Sequence, residues 1–108
     1  MILVIDDQNN YEYADVIIRS FEAARLFIYE TTISKKFDEL LLDHDLGSKY
    51  EYETGYDLLK IGLHLDVIPK KVWLITKNPV GRKRMKDILI DYNYIQSEMD
   101  PTYFTKGL

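Results

Sequence analysis

Acidic side chains stand directly after two short apolar runs of this 108-residue chain. The runs cover residues 1–5 and 40–42, and the acidic residues that follow them are Asp6, Asp7, Asp43 and Asp45. Carboxylates brought close together repel one another unless a cation lies between them. A hard divalent ion such as Mg²⁺ or Mn²⁺ takes oxygen ligands and keeps positions open for water and phosphate. The four acids therefore predict a metal site, and the alternative is that some of them cap turns at exposed strand ends.

His44 lies between two of these acids, Asp43 and Asp45. Side chains alternate between the two sides of a strand, so the imidazole is expected to point away from its acidic neighbours. It could be a general base or a metal ligand, and a structural role or a place at the edge of the substrate is equally open. The candidate catalytic residues are Asp43, His44 and Asp45.

A third apolar run, residues 72–75, ends in Thr76 and Lys77 and leads into a helix start. Asn78 is a typical N-cap, and Pro79 suits the first helical position. Free N–H groups at a helix N-terminus favour an anion, and an arginine such as Arg82 can hold a phosphate through two hydrogen bonds. The alternative is an ordinary capped helix with a solvated basic face. The candidate phosphate-binding residues are Thr76, Lys77, Asn78 and Arg82.

The elements that must position these residues alternate between strands and helices. Short apolar runs predict strands within residues 1–5, 14–18, 37–42, 71–76 and 94–99, and helices are expected to begin after Ser20, Thr54 and Asn78. This alternation predicts an α/β fold with a parallel sheet, in which functional residues gather outside the carboxyl ends of the strands. Three strand ends would thus bring their polar residues to one edge.

The length predicts one domain over residues 1–108, with an ordered core over about 1–99 and little order in residues 100–108. The absence of cysteine excludes a disulfide scaffold, a thiol nucleophile and a cysteine zinc site. No apolar run approaches the length of a membrane span and no signal peptide is present, so we expect a cytoplasmic protein without membrane contact.

The net charge of −4 argues against a protein that coats nucleic acid by bulk charge. The charge is unevenly distributed, because residues 70–86 contain seven of the 14 basic residues and no acidic one. An acidic protein can therefore offer a positive rim to a phosphate-bearing ligand. Tyr50 and Tyr52 lie in the loop after the third strand, where they could stack on a base or pack the loop down.

The residues at the strand ends resemble those of response-regulator receiver domains. Asp6 and Asp7 resemble the acidic pair, Asp43 the phospho-acceptor aspartate and Thr76 the conserved hydroxyl. The resemblance implies a flavodoxin-like, mostly parallel sheet flanked by helices. It also implies that the three aspartates hold Mg²⁺, with Thr76 touching the phosphoryl group and Asp45 standing where receivers offer a backbone carbonyl to the metal.

A narrower resemblance rests on the strings at residues 42–47 (LDHDLG), 55–57 (GYD) and 78–85 (NPVGRKRM). These strings are similar to the cyclic-phosphate processing receiver domain family, over roughly residues 1–95. That family is predicted to act on cyclic phosphate ends in RNA damage and repair, and it occurs in bacteria and phages.

The chain departs from the receiver pattern at two places. Receivers end their fifth strand with a lysine, and residues 94–100 contain none. The segment between the first two strands is shorter than the dozen or more residues of a helical crossover, so the first and fifth receiver helices are expected to be missing. Either an extended segment returns across the sheet or the first two strands pair antiparallel. Apolar surface left open by these helices predicts a homodimer.

The leading functional hypothesis is a metal-dependent enzyme that acts on a phosphate ester, either a 2′,3′-cyclic phosphate RNA end or a cyclic nucleotide. Its partner would be a phosphate-bearing small molecule or an RNA end. Two alternatives are a module that binds and sequesters a nucleotide without cleaving it, and a degenerate receiver that acts in protein interaction.

Overall fold

The computed structural model describes residues 1–30 and 33–107. The strands of its sheet are β1 (Ile2–Ile5), β2 (Val16–Ile18), β3 (Glu39–Leu42), β4 (Lys71–Leu74), β5 (Tyr94–Gln96) and β6 (Tyr103–Lys106). They lie side by side in the order β2-β1-β3-β4-β6-β5. The first four in this order are parallel, whereas β6 runs antiparallel to both β4 and β5. The expected receiver-like α/β fold with a mostly parallel sheet is confirmed.

The helices among the described residues are α1 (Phe21–Glu30), α2 (Ile33–Lys36), α3 (Gly55–His64) and α4 (Pro79–Asp91). The predicted N-caps are formed. The hydroxyl of Ser20 accepts the N–H of Ala23 at 3.2 Å, Thr54 and Asp57 form a capping box, and the Asn78 side chain accepts two N–H groups of α4. Within the described residues, no helix has the length and apolarity that a membrane crossing requires.

The helices pack against one face of the sheet, because alternate residues of the central strands are apolar and point to the same side. The residues that face this way and are buried with side chains of α1, α3 and α4 are Leu3, Ile5, Leu40, Leu42, Val72 and Leu74. On the other face Trp73 stacks on Tyr103, with ring centroids 4.1 Å apart, and donates its indole N–H to Glu39 at 3.0 Å. Side chains, not helices, therefore cover this part of the sheet.

The connection between β1 and β2 differs from that of an ordinary parallel pair. The strands are parallel, yet residues 6–15, all of them described, contain turns and no helix. Asp15 holds the end of this segment, since its N–H donates to the carbonyl of Ile2 at 3.0 Å and its carboxylate accepts the N–H of Ile2 at 2.6 Å. An extended segment therefore returns across the sheet. In the described residues there is likewise no helix after α4, so the absence of the first and fifth receiver helices is confirmed.

The expectation that the ordered core ends near residue 99 and that residues 100–108 have little order is wrong. Residues Tyr103–Lys106 form β6, which lies inside the sheet between β4 and β5, and the ring of Phe104 is only 1% exposed. Pro101 and Gly107 flank this short strand and suggest a loop in the sequence. Its order comes from the two neighbouring strands, which local sequence does not reveal.

The antiparallel direction of β6 decides which residues reach the carboxyl edge of the sheet. At that edge the N–H of Leu74 donates to the carbonyl of Thr102 at 2.8 Å, and at the opposite edge the N–H of Lys106 donates to the carbonyl of Lys70 at 2.8 Å. Lys106 therefore lies at the far edge. The lysine that ends the fifth strand of a receiver has no counterpart in β6.

Phe104→Ala should lower the free energy of unfolding by about 3–5 kcal/mol, because a fully buried ring is replaced by a cavity. Urea denaturation followed by far-UV circular dichroism measures the loss. Ile95→Ala, on the neighbouring edge strand and 59% exposed, is the matched control and should change stability little. Equal effects of the two substitutions would contradict the interior position of β6.

Candidate functional site

Three carboxylates converge at the carboxyl edge of the sheet. Asp6 and Asp7 follow β1 and Asp43 follows β3, which pairs with β1 in parallel. One oxygen from each of the three side chains lies within 4.8 Å of the others. This acidic cluster could hold a metal ion, since carboxylate oxygens are the ligands that hard divalent cations prefer.

Asp6 is the most buried member of the cluster, at 1% exposure. One of its oxygens accepts the N–H groups of Gln8 and Asn9 at 3.0 and 3.3 Å, and the other accepts the Tyr11 hydroxyl at 2.8 Å and the Asn9 amide at 3.2 Å. Burial by itself raises the pKa of Asp6, but these hydrogen bonds outweigh burial and leave the pKa below its usual value. Asp6 is thus held ionised, and it ties the segment after β1 to the site.

Asp43 has the opposite electrostatic character. Burial raises its pKa, and the charges of Asp6 and Asp7 raise it further. Hydrogen bonds from the N–H of His44, at 2.8 Å, and from the Thr76 hydroxyl oppose the rise without cancelling it. The negative charge of Asp43 is therefore costly, and a bound cation would relieve that cost.

Asp45 and His44 form a pair beside the cluster. Asp45 is exposed and lines the same cavity as Asp7 and Asp43, but it is not one of the three carboxylates that converge. Nδ1 of His44 lies 3.0 Å from the Asp45 carboxylate. His44 is only 8% exposed and does not line the cavity, but its contact with Asp45 shows that the imidazole does not point away from both acidic neighbours as the alternation predicted. Its Nε2 has no hydrogen-bond partner among the described residues.

The His44 ring packs directly on the start of α4. A Cβ atom at Gly81 would come within 2.3 Å of the ring, so only glycine leaves room for it there. The amide nitrogen of Asn78 lies 3.5 Å from Nδ1 of His44 and from both Asp45 oxygens. The end of β3 and the start of α4 thus form one packed unit.

The four candidate phosphate-binding residues divide into two groups. Thr76 and Lys77 line a cavity of about 400 Å³ together with Asp7, Asp43 and Asp45. Asn78 and Arg82 do not line it. Asn78 caps α4, and Arg82 donates from Nη2 to the carbonyl of Thr76 at 2.5 Å.

Arg82 and Asn78 therefore shape the loop between β4 and α4 rather than face the cavity. Thr76 is buried and accepts the N–H of Asn78 on its hydroxyl at 3.1 Å, which fixes the direction of that hydroxyl. Among the described residues that line the cavity, Lys77 is the one with a cationic side chain.

Two glycines allow the loop after β3 to approach the cluster. A Cβ at Gly55 would lie 1.9 Å from the carbonyl oxygen of Asp43, so the start of α3 packs against the backbone of the site. Gly47 has a φ of +71°, and a Cβ there would lie 2.9 Å from the Asp7 carboxylate.

Sequence reasoning placed these glycines in motifs but did not assign them this packing role. It also missed Tyr11, which lies in a polar segment without regular periodicity and reaches Asp6 only because that segment folds back. The available signals for the two glycines were their positions, with Gly47 closing the string at residues 42–47 and Gly55 directly after the N-cap Thr54.

A family model described as the cyclic-phosphate processing receiver domain matches residues 1–91. The match covers most of the chain and includes every residue that lines the cavity. No curated protein and no solved structure gave a significant match.

Asp43→Asn should raise the free energy of unfolding of the metal-free protein, because it removes the charge that burial and the neighbouring aspartates disfavour. It should also remove the stabilisation by Mg²⁺. For the unsubstituted protein this stabilisation should reach about 2.7 kcal/mol when the free Mg²⁺ concentration is about 100 times the dissociation constant. Thermal denaturation with and without Mg²⁺ measures both effects. Asp87→Asn, on the exposed side of α4, is the control and should keep the response. A full Mg²⁺ response in Asp43→Asn would contradict the metal site.

Tyr11→Phe removes the hydroxyl that donates to Asp6 and should cost about 1.5–3 kcal/mol near neutral pH. Because the pKa of Asp6 is lowered, its stabilising contribution is present above the ordinary carboxyl pKa and is lost as pH falls through the lowered value. The cost should therefore shrink in strong acid. Urea denaturation near neutral pH and again in strong acid measures the cost of the substitution, with Tyr13→Phe as the control. A cost that does not change with pH would rule out the charged hydrogen bond.

Proposed function

The chain belongs to the cyclic-phosphate processing receiver domain family, and from this premise we propose that it carries out a metal-dependent reaction on a phosphate ester. The substrate would be a 2′,3′-cyclic phosphate at an RNA end or a cyclic nucleotide. The observation that carries the proposal is one cavity lined by acidic side chains, a buried hydroxyl and a lysine from three neighbouring strand ends. Such a set offers oxygen ligands for a cation and two groups suited to phosphate oxygens.

Asp6, Asp7 and Asp43 are the residues that would hold Mg²⁺ or Mn²⁺. The donor set fits such an ion, because it consists of carboxylate oxygens and because burial, with the charges of Asp6 and Asp7, raises the pKa of Asp43, so that a cation would stabilise its charged form. When bound, the ion would polarise the phosphate and favour deprotonation of an attacking water.

Lys77 takes over the role of the lysine that receivers carry at the end of their fifth strand. That position is lost because β6 runs antiparallel and carries Lys106 to the opposite edge. Lys77 instead follows β4 directly and lines the cavity with Thr76. Its ammonium group would bind a phosphate oxygen, while the Thr76 hydroxyl, which donates to Asp43, would hold that carboxylate in place.

Asp45 is the general base in this proposal. Its carboxylate is exposed in the cavity and can accept a proton from water. His44 would orient it by donating from Nδ1 across the 3.0 Å contact, in the tautomer that carries the proton there. His44 is thus a positioning residue for Asp45, since its ring is packed against Gly81.

A module that binds the nucleotide without cleaving it is the second candidate. It is favoured by the position of the His44 ring, which lies outside the cavity and leaves carboxylates as the bases there. The third candidate is a degenerate receiver that acts in protein interaction. It is favoured by the receiver-like set of Asp43, Thr76 and the acidic pair Asp6 and Asp7. A stable complex with beryllofluoride on Asp43 would favour that third candidate.

Purified protein should hydrolyse 2′,3′-cyclic nucleotides in the presence of Mg²⁺ or Mn²⁺, and Asp43→Ala should abolish the activity. Lys77→Ala should lower kcat/KM by about 100-fold or more, because it removes a charged contact to the reacting phosphate. Chromatographic detection of the ring-opened product measures the rates. Lys83→Ala, on the exposed side of α4, is the matched control.

Two results would separate the candidates. Binding of intact nucleotide with no product would favour the sequestering module. Turnover that survives Asp43→Ala would refute the proposed metal-dependent reaction.

A further inference from the structure

The loop between β3 and α3, residues 45–54, is closed at its base beside the acidic cluster. The N–H of Gly55 donates to the carbonyl of His44 at 2.7 Å, so the two ends of the loop meet. Inside it, the N–H of Glu53 donates to the carbonyl of Tyr50 at 3.1 Å, and the Ser48 hydroxyl donates to the Glu53 carboxylate. Loops of this length whose ends meet are compact and are frequently functional.

Two tyrosines of this loop stack on each other at the surface. The rings of Tyr50 and Tyr52 have centroids 5.4 Å apart and planes 19° apart. They are 46% and 65% exposed, so they do not pack the loop onto the core, which was one of the two expectations from the sequence. Nζ of Lys49 lies 5.2 Å from the centroid of the Tyr50 ring. The pair is an exposed aromatic platform with a cation beside it.

The tyrosine pair adjoins the candidate phosphate cavity. A second cavity, of about 290 Å³, is lined by Tyr50, Lys49 and Thr54 and also by Asp45 and Gly47. The last two residues line the phosphate cavity as well. A ligand can therefore extend from the carboxylates along Asp45 and Gly47 to Tyr50, whose ring stacks on that of Tyr52.

We infer that the loop of residues 45–54 is a nucleobase subsite, in which the base of the ligand stacks on the Tyr50–Tyr52 pair while its phosphate lies in the adjoining cavity. The inference rests on the proposed function and extends it from the phosphate to the nucleoside. Stacking on an aromatic ring accepts any base, because every base has a π-face. Two tyrosines already held in parallel lose little conformational freedom on binding, so the contact area is available at low entropic cost.

The subsite predicts that the base contributes to affinity. In Mg²⁺, the protein should bind adenosine 2′-phosphate more tightly than ribose 2-phosphate by about 5- to 100-fold, as expected for one stacked base. Neither compound has a cyclic ester to be opened, so isothermal titration calorimetry measures binding alone. Tyr50→Ala combined with Tyr52→Ala should remove this preference and leave the affinity for ribose 2-phosphate unchanged.

Two further variants separate stacking from structural damage. Tyr50→Phe combined with Tyr52→Phe keeps both rings and should keep the preference. Tyr92→Ala, at the end of α4 and outside both cavities, should also keep it.

The failures of the two proposals are distinguishable. If the unsubstituted protein binds both compounds equally, or if the double alanine variant keeps the preference, the nucleobase subsite is refuted and the phosphate site stands. If the protein binds neither compound, both proposals are contradicted.

Discussion

The mutual repulsion of three carboxylates held within 4.8 Å is the constraint on which the organisation of this protein depends. Parallel pairing of β1 with β3 brings these side chains together at one edge of the sheet. The surroundings stabilise the charged forms of these carboxylates to different degrees. Four hydrogen bonds lower the pKa of Asp6, whereas the pKa of Asp43 is raised. Asp6 thus holds the segment after β1 in place, while the negative charge of Asp43 remains costly and would be stabilised by a cation.

The same edge shows how a receiver fold adapts to shorter connections. The extended segment between β1 and β2 replaces a helix, and it contributes Tyr11 to Asp6. The antiparallel β6 fills the place next to β4 and completes the sheet, but its direction takes Lys106 away from the site. Lys77, directly after β4, is the cationic residue among the described residues that line the cavity with Asp7, Asp43 and Asp45. The direction of β6 thus decides which lysine lies at the carboxyl edge, and the acidic cluster lies at that same edge.

The short elements with strong local signals could be predicted from the sequence. The caps at Thr54 and Asn78 bind the N–H groups next to them, so their role is visible within four residues. The convergence of Asp6, Asp7 and Asp43 also followed from the alternation of strands and helices, because parallel strands end at a common edge. By contrast β6 was missed, since a strand of four residues is stabilised by its neighbours in the sheet. The phosphate contact predicted for Arg82 stays a prediction, and in the structure its guanidinium donates to the carbonyl of Thr76 and does not line the cavity.

By itself, the sequence determined the fold class, the starts of α1, α3 and α4 and the identity of the acidic edge, but not the short helix α2. These depend on local periodicity, on capping residues and on the rule that parallel strands share an edge. Only the tertiary structure decided the different pKa shifts of Asp6 and Asp43 and the return of residues 6–15 across the sheet without a helix. It also decided that Lys77 rather than Arg82 lines the cavity and that Tyr50 and Tyr52 face solvent. The physical reason is that pKa values, side-chain exposure and strand direction depend on contacts between residues distant in the chain, which no local pattern encodes.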